Sequence, residues 1–348
     1  MRTPDEFDQY YRATLVPLLQ SLDGDRKRAL AAYQGGMFSL LLFFPVIAVV
    51  VLLENPWVLL CFLLPVILSV SSFNKAAKLK AAYTIRFKQA IIESIVKFIS
   101  GQLHYLPSAS IEAHEYSEGD LFRERIDDFR GGDLVEGRLG ATALRFSEVQ
   151  HREKRESVNS KGQRTTKWVT VFRGIFFIAD FNKNFSGRTY ALPESGTDFF
   201  GIGQLLDRWF EGRGEPVKLE HPAFEKYFKV FGTNQVEARY LLTPSLMEKI
   251  VSLREKLNAK MALSFINTRI FIALPVSKNL FEPNFFRSGL RADYLHEYFY
   301  YLRLTAGIVE DLSLNTRLWS KQSPVAGQVN PTAGCAFRYL VHSKTSYH

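Results

Sequence analysis

The sequence predicts an α+β protein: a two-helix transmembrane hairpin with juxtamembrane helices, followed by one mixed strand/helix domain. Three observations carry this reading. Two apolar runs, Met37 to Leu53 (MFSLLLFFPVIAVVVLL) and Trp57 to Val70 (WVLLCFLLPVILSV), are separated only by Glu54, Asn55 and Pro56. Segments of helical period flank the runs on both sides. Beyond Ser110 the period becomes that of strands, and strands followed by helices point to α+β rather than to a parallel α/β sheet.

The first run, at about 1.5 Å of rise per residue, covers roughly 25 Å as a helix. Gly35, Gly36 and Ser71 to Phe73 extend the pair toward a hydrocarbon thickness of about 30 Å. Lys and Arg stay on the cytoplasmic side of an inserted hairpin. Arg26, Lys27 and Arg28 precede the first run, and Lys75, Lys78, Lys80, Arg86 and Lys88 follow the second. The turn between the runs has Glu54 and no cation. Both termini are therefore expected to be cytoplasmic. No charged residue lies between Gly36 and Leu53 or between Trp57 and Asn74, which argues against a proton relay or an ion pathway. Pro45 and Pro65 each stand ten residues from Asn55. They are expected at similar depths, as tolerated kinks.

Pro4 to Leu22 carries Phe7, Tyr10, Tyr11, Leu15, Leu18, Leu19 and Leu22 at helical spacing, with Pro17 and Gly24 weakening it. Leu79 to Leu103 repeats the pattern through Tyr83, Phe87, Ile91, Ile95 and Ile99, and Pro107 ends it. Each helix has one apolar face, so the two are expected to pack as an antiparallel pair that prolongs the hairpin.

Short strands are expected at Ile111 to Tyr116 and at Phe228 to Phe231. Hairpins are expected for Leu134 to Leu139 with Thr142 to Val149, and for Met261 to Ile266 with Arg269 to Pro275. Residues 169 to 181 (VTVFRGIFFIADF) read as a central strand pair. The polar stretch His151 to Lys167 lacks an apolar period and reads as a long solvated β-hairpin arm. Helices are expected at Phe200 to Phe210, at Pro244 to Asn258 with Thr243 as cap, and at Ala292 to Leu312. After Ser320 no acid occurs, and the segment reads as a disordered basic tail. The domain boundaries that follow are 1–34, 35–73, 74–106, 107–319 and 320–348.

The 348 residues carry a net charge of +9, which suits an anionic membrane surface. No basic and aromatic residues are organised as a nucleic-acid module. Cys61 and Cys335 are the only cysteines, and the seven histidines form no short-spaced ligand pair. No metal and no cofactor are expected. Gly131-Gly132 and Gly201-Ile202-Gly203 lack the spacing of phosphate loops. Asp120, Asp127, Asp128, Asp133, Glu136, Glu148 and Asp180 read as solvated acids that end strands. Among them Asp180, with Asn182, Lys183 and Arg188 behind it, is the best candidate ligand site. Arg152, Lys154, Arg155, Lys161, Arg164 and Lys167 of the arm are the candidate contacts to anionic lipid.

The blocks Gly132-Asp133-Leu134-Val135-Glu136-Gly137, Phe146-Ser147-Glu148-Val149, Val171 to Phe177 and Ala179 to Lys183 resemble a bacterial membrane family, domain-of-unknown-function family 3137. So do Val217-Lys218-Leu219-Glu220, Glu237-Ala238-Arg239-Tyr240, Leu242-Thr243-Pro244 and Leu280-Phe281-Glu282-Pro283. The resemblance spans about Met1 to Trp319. It implies the bacterial inner membrane and a LemA-type membrane protein as partner, and supplies no catalytic residue. The expected function is a membrane-held interaction or regulatory module, in which a homo-oligomer is possible. The alternative is a membrane-tethered enzyme or small-ligand sensor with its site near Asp180.

Overall fold

The computed structural model describes residues 2–45, 47, 63–158, 164–181, 185–194, 210–276, 279–286, 292–312 and 314. The chain begins with two long helical arms. The first comprises α1 (Pro4–Tyr10), a π-helical turn at Tyr11–Leu15 and α2 (Val16–Leu41). Thr3 and Glu6 close a capping box at its start, with Glu6 N donating to Thr3 Oγ1 at 3.3 Å and Thr3 N to Glu6 Oε2 at 2.7 Å. Pro17 does not end this arm: the wider π turn before it accommodates the missing N–H. The second arm comprises α3 (Leu63–Phe87), a π-helical turn at Lys88–Ile92 and α4 (Glu93–Ile99).

The two arms pack against each other, as their apolar faces predict. Tyr10 stacks on Phe98 at 4.3 Å and donates to Ser94 O at 3.2 Å. Asp25 pairs with Arg86 at 2.7 Å, and the Ser39 and Ser69 hydroxyls meet at 2.6 Å. Partners whose numbers fall on one side as they rise on the other define an antiparallel pair. No helix among the described residues is long and apolar enough to cross a membrane. The expected turn at residues 54–56 lies outside the described residues, as do residues 48–62 generally.

Nine strands form one sheet in which every described neighbour pair is antiparallel. They are β1 (Leu103–Leu106), β2 (Asp128–Leu139), β3 (Thr142–Val158), β4 (Arg164–Asp180), β5 (Thr189–Pro193), β6 (Glu215–Pro216), β7 (Phe228–Gly232), β8 (Ala262–Ile266) and β9 (Arg269–Pro275). Their order across the sheet is β1-β2-β3-β4-β9-β8-β5-β7-β6. The expected hairpins β2/β3 and β8/β9 are present, the latter turned by Asn267 and Thr268, both at positive φ.

Both faces of the sheet are covered, which explains why the inner part of β4, residues 175–179, is continuously apolar. Ile175, Phe177 and Ala179 face a core shared with the helical arms, with α8 (Pro244–Leu257) and with α9 (Ala292–Asp311). Phe172, Phe176 and Ile178 face a second core closed by Ile111, Tyr116, Leu121 and Phe122. Between β7 and α8 lies α7 (Gln235–Leu241), and α6 (Pro222–Glu225) precedes β7. As the sequence indicates, Thr243 caps α8, accepting from Leu246 N at 3.4 Å.

Four expectations are corrected. Ile111 to Tyr116 is not a strand: Ala113–Glu118 is the helix α5, and Tyr116 plugs the second core from it. The second arm stops at Ile99, and Leu103 opens β1, which the helical period had concealed. Asp133 and Glu148 are not solvated strand-end acids, because a β-bulge and a glycine neighbour turn them inward. Residues 169 to 181 are not a strand pair, since through Asp180 they belong to the single strand β4, whereas the arm is the β-hairpin expected, with β3 and β4 in register out to Val158 and Arg164. The expected helix at Phe200 to Phe210 lies almost wholly outside the described residues, and the tail after Ser320 lies wholly outside them.

The N-terminal arm is fixed to the C-terminal helix by Phe7, which is fully buried and stacks on Phe299 at 4.1 Å with Phe98 at 6.0 Å. Truncating a buried phenylalanine costs about 3–5 kcal/mol. Phe7→Ala should therefore lower stability by about that amount in denaturant-induced unfolding followed by tryptophan fluorescence.

Candidate functional site

A buried charge cluster marks the seam between the second arm and the sheet. Lys88 opens the π turn at Lys88–Ile92, with Phe87 and Ile91 buried on either side of it. A π turn shifts the side-chain register, and such bulges are frequent at functional positions. Its ammonium pairs with Asp133 at 2.8 Å and with Glu282 at 3.1 Å. Asp133 sits where the β2–β3 register shifts between Gly132 and Val135, with φ at 61°. Aspartate is one of the few side chains that tolerates this left-handed region. Its N–H is taken by Pro107 O at 3.2 Å, and the Tyr105 hydroxyl of β1 donates to its carboxylate.

Glu148 stands opposite Gly132 in the ladder and accepts from Leu280 N at 2.7 Å. It thereby ties β3 to the 279–286 segment, which also supplies Glu282. The cluster lines a pocket of about 260 Å³ whose walls include Gly131, Gly132 and Gly174, with Arg130 and Arg173 beside them. Gly174 is obligatory: its φ is 157°, and a Cβ there would lie 2.0 Å from Leu274 O.

Burial dominates the electrostatics. It acts to lower Lys88, but the carboxylates of Asp133 and Glu282 outweigh it and hold the lysine above its ordinary value. Lys88 is therefore an ammonium at neutral pH, not an amine nucleophile. Burial also pushes Asp133 up, against the pull of Lys88 and the Tyr105 hydrogen bond, and it raises Tyr105 strongly, so that phenol stays protonated. For the Lys88–Asp133 pair the direction set by 2.8 Å contact prevails, and both groups are charged. Burial, followed by the neighbouring Asp133 charge, raises Glu148 from 4.5 to about 7. Glu148 is thus close to its titration point at neutral pH, beside a lysine held as an ammonium.

The residues singled out in the sequence fall in several places. Asp180 is exposed and lies opposite Arg269 in the β4–β9 ladder. It lines a groove of about 430 Å³ with His104, Glu136, Arg138, Arg145 and Arg269. There Arg145 pairs with Glu115 at 2.5 Å and with Glu136 at 3.1 Å. Arg188 is not among the described residues of that groove. It contacts Asp120 Oδ2 at 3.4 Å, within a clamp in which Arg123 and Tyr190 also hold that carboxylate. Asn182 and Lys183 lie outside the described residues. In the arm, Arg152 pairs with Asp128 at 3.3 Å and covers the Trp168 ring at 4.9 Å. Lys154 and Arg155 pair with Glu156 and Glu153. Arg164 and Lys167 are exposed, and Lys161 lies outside the described residues. Among the described residues no group of three or more His, Cys, Asp or Glu could hold a metal ion.

The sequence reading missed Lys88, Tyr105 and Glu282. One signal was present: Lys88 lies three residues before Ile91 and seven before Ile95, on the stripe that the helix buries.

Residues 170–314 match the family model described as protein of unknown function (DUF3137). The chain carries a DUF3137 domain. The matched segment runs from the inner half of β4 through α9, short of the Met1 to Trp319 over which the resemblance was read. Of the charge cluster, the DUF3137 segment holds only Glu282; Lys88, Tyr105, Asp133 and Glu148 precede it. No curated protein matches the chain. Among solved structures there is a distant likeness to the mycobacterial trehalose monomycolate transport factor A, TtfA. It has 11% identity and a TM-score of 0.34, covering 65% of this chain and 96% of that one.

A carboxyl raised in the folded state stabilises fully below its unfolded value and ceases to do so as pH rises through the folded value. Stability should therefore fall between pH 4.5 and about 7 by an amount set by Glu148. Thermal unfolding measured across that range should show the decline, and Glu148→Gln should flatten it. Lys88→Met leaves Asp133 buried without its counter-charge and should cost about 3–5 kcal/mol.

Proposed function

We propose that the chain is a two-span protein of the bacterial inner membrane, with both termini cytoplasmic. Its α+β domain is an interaction or regulatory module mechanically joined to the membrane helices. The observation that carries this reading is an apolar collar on the far ends of α2 and α3. Phe38 is 67% exposed and Ile67 62% exposed, and Leu41, Phe44, Leu64, Leu68 and Val70 join them. A patch of this kind calls for lipid or protein around it. Inside the collar the two helices meet through the buried Ser39–Ser69 hydrogen bond and through Gly36, where a Cβ would lie 2.9 Å from the Phe73 ring. Small residues and hydroxyl pairs of this sort join helices in bilayers. The Lys/Arg asymmetry supports the orientation.

The regulatory part of the reading rests on the Lys88 cluster. The arm that would leave the membrane carries, at the start of its π turn, the lysine that binds β2 and the 279–286 segment. A shift of α3 would therefore be felt in the sheet directly. A LemA-type membrane protein, implied by the family resemblance, is a candidate partner. A second reading, a small-ligand sensor, is favoured by the buried charges that line the 260 Å³ pocket at Lys88 more than by the larger groove at Asp180.

Reporter fusions should read cytoplasm after Phe73 and at the C-terminus, and the outside at Asn55. The protein should also stay in the membrane pellet after alkaline carbonate. A C-terminal reporter on the outer side would overturn the orientation. In the cell, Asp180→Asn should leave the phenotype and partner recovery nearly unchanged, as for an exposed strand-end acid. Loss of function with unchanged expression and unfolding would instead place the working site at the Asp180 groove.

A further inference from the structure

We infer that the Phe285-Phe286 corner is a second membrane contact, an interfacial wedge that seats the α+β domain on anionic phospholipid headgroups. The inference rests on the two-span reading and adds a contact made by a segment far from the hairpin in sequence. Phe286 is 62% exposed, while Phe285 beside it is buried and meets it edge-on at 5.1 Å. Both rings pack edge-on against Tyr33 of α2, at 5.5 Å for Phe286 and 6.4 Å for Phe285, and Tyr33 in turn meets Phe73 of α3 at 5.6 Å. Tyr33 stands just before Met37, and Phe73 just after Val70, at the inner rim of the apolar collar. The four rings therefore form a belt at the level where the helix surfaces change from apolar to basic. Aromatic side chains collect at this level of a bilayer.

The charges at the rim fit one partner. Lys80 lies 5.7 Å above the Phe285 ring. Lys75 and Lys78 are exposed one to two turns beyond Val70, and residues 71–80 contain no acid. Val66, Ile67, Val70, Asn74, Lys75 and Lys78 line one groove along α3, apolar at one end and basic at the other. That polarity matches an acyl chain ending in a phosphate. Nor is the corner a loose loop. The segment that carries it is fastened by Leu280 N on Glu148, by Glu282 on Lys88, and by Tyr298 Oη donating to Glu282 O at 2.7 Å. A wedge held this way transmits the attitude of the domain on the bilayer to the charge cluster. This assignment places the lipid contact at α3 and residues 285–286, rather than at the arm, where three cations are already paired with acids.

The test uses the full chain in nanodiscs, with Cys61 and Cys335 changed to Ser and Phe286→Cys labelled with bimane. The discs contain either phosphatidylcholine alone or its mixture with phosphatidylglycerol, each with and without lipid carrying a nitroxide near the headgroup. The expected result is blue-shifted emission and nitroxide quenching that strengthen with phosphatidylglycerol. Lys75→Gln, Lys78→Gln and Lys80→Gln together should abolish that dependence on anionic lipid. Bimane at Val236→Cys, in α7 on the opposite edge of the sheet, should stay unquenched. An unshifted, unquenched label at residue 286 in protein that resists alkaline carbonate would overturn the wedge and leave the two-span reading standing. Release of the protein by carbonate would overturn the two-span reading and the wedge with it. Quenching equal in both lipid compositions would overturn the anionic-headgroup assignment. Self-quenching that rises with protein per disc, without nitroxide quenching, would give the patch to a second copy of the chain and overturn the wedge.

Discussion

The Lys88–Asp133 ion pair is the constraint on which the arrangement of helices, sheet and C-terminal segment depends. An ion pair this deep gains little over well-packed apolar residues, because desolvation offsets most of the Coulombic attraction. Its consequence lies in specificity, since each charge can be buried only if the other is placed correctly. Lys88 reaches its partner from the first position of a π turn, on the buried stripe of the second arm. Asp133 reaches it because a bulge sets the aspartate at positive φ. Glu282 completes the shell, and with Glu148 it draws the 279–286 segment over the pocket. A π turn, a β-bulge and the 279–286 segment, from three distant parts of the chain, are thus held by one another.

A second constraint is aromatic. Phe7, Phe98 and Phe299 come from the first helix, the second arm and α9, and they meet in one core, with Phe7 stacked on Phe299 and both rings tilted against Phe98. The N-terminal arm therefore belongs to the folded domain as fully as the sheet does. His296 adds a contact of 2.5 Å to Asp8 at the edge of the same stack. The two faces of the sheet are handled differently. The helices cover one, while the other is closed by a segment with a single short helix, whose Tyr116 meets the buried His151 at 3.2 Å. Burial lowers that histidine, which keeps it neutral beside the phenol.

Much of the fold was legible because its elements bury one continuous face. Helix periods in both arms, the two hairpins and the capped helix α8 all declare themselves through spacing, since local periodicity and the core face coincide. The 111–116 stretch misled because its apolar residues serve as isolated plugs. Tyr116 fills a hole from a helix of under two turns, too short to show a period. β1 was hidden because Leu103 continues the helical stripe by coincidence, and only pairing with β2 makes it a strand. The family resemblance named DUF3137 correctly but spread it over Met1 to Trp319, whereas the match covers residues 170–314 and holds one residue of the charge cluster.

The sequence by itself determined the α+β class, the apolar pair of runs with its charge asymmetry, and most of the regular elements, because these follow from patterns a few residues long. It left the site undetermined. Lys88, Tyr105, Asp133, Glu148 and Glu282 lie in five separate stretches, and nothing local separates a lysine that flanks a membrane helix from one buried against an aspartate. Only the tertiary structure decided that, because the free energy of a buried charge depends on what surrounds it in space. The same holds for Phe286. As a residue in a loop it is unremarked; beside Tyr33 and Phe73, at the rim of an apolar collar, its exposure acquires a meaning that its neighbours in the chain do not supply.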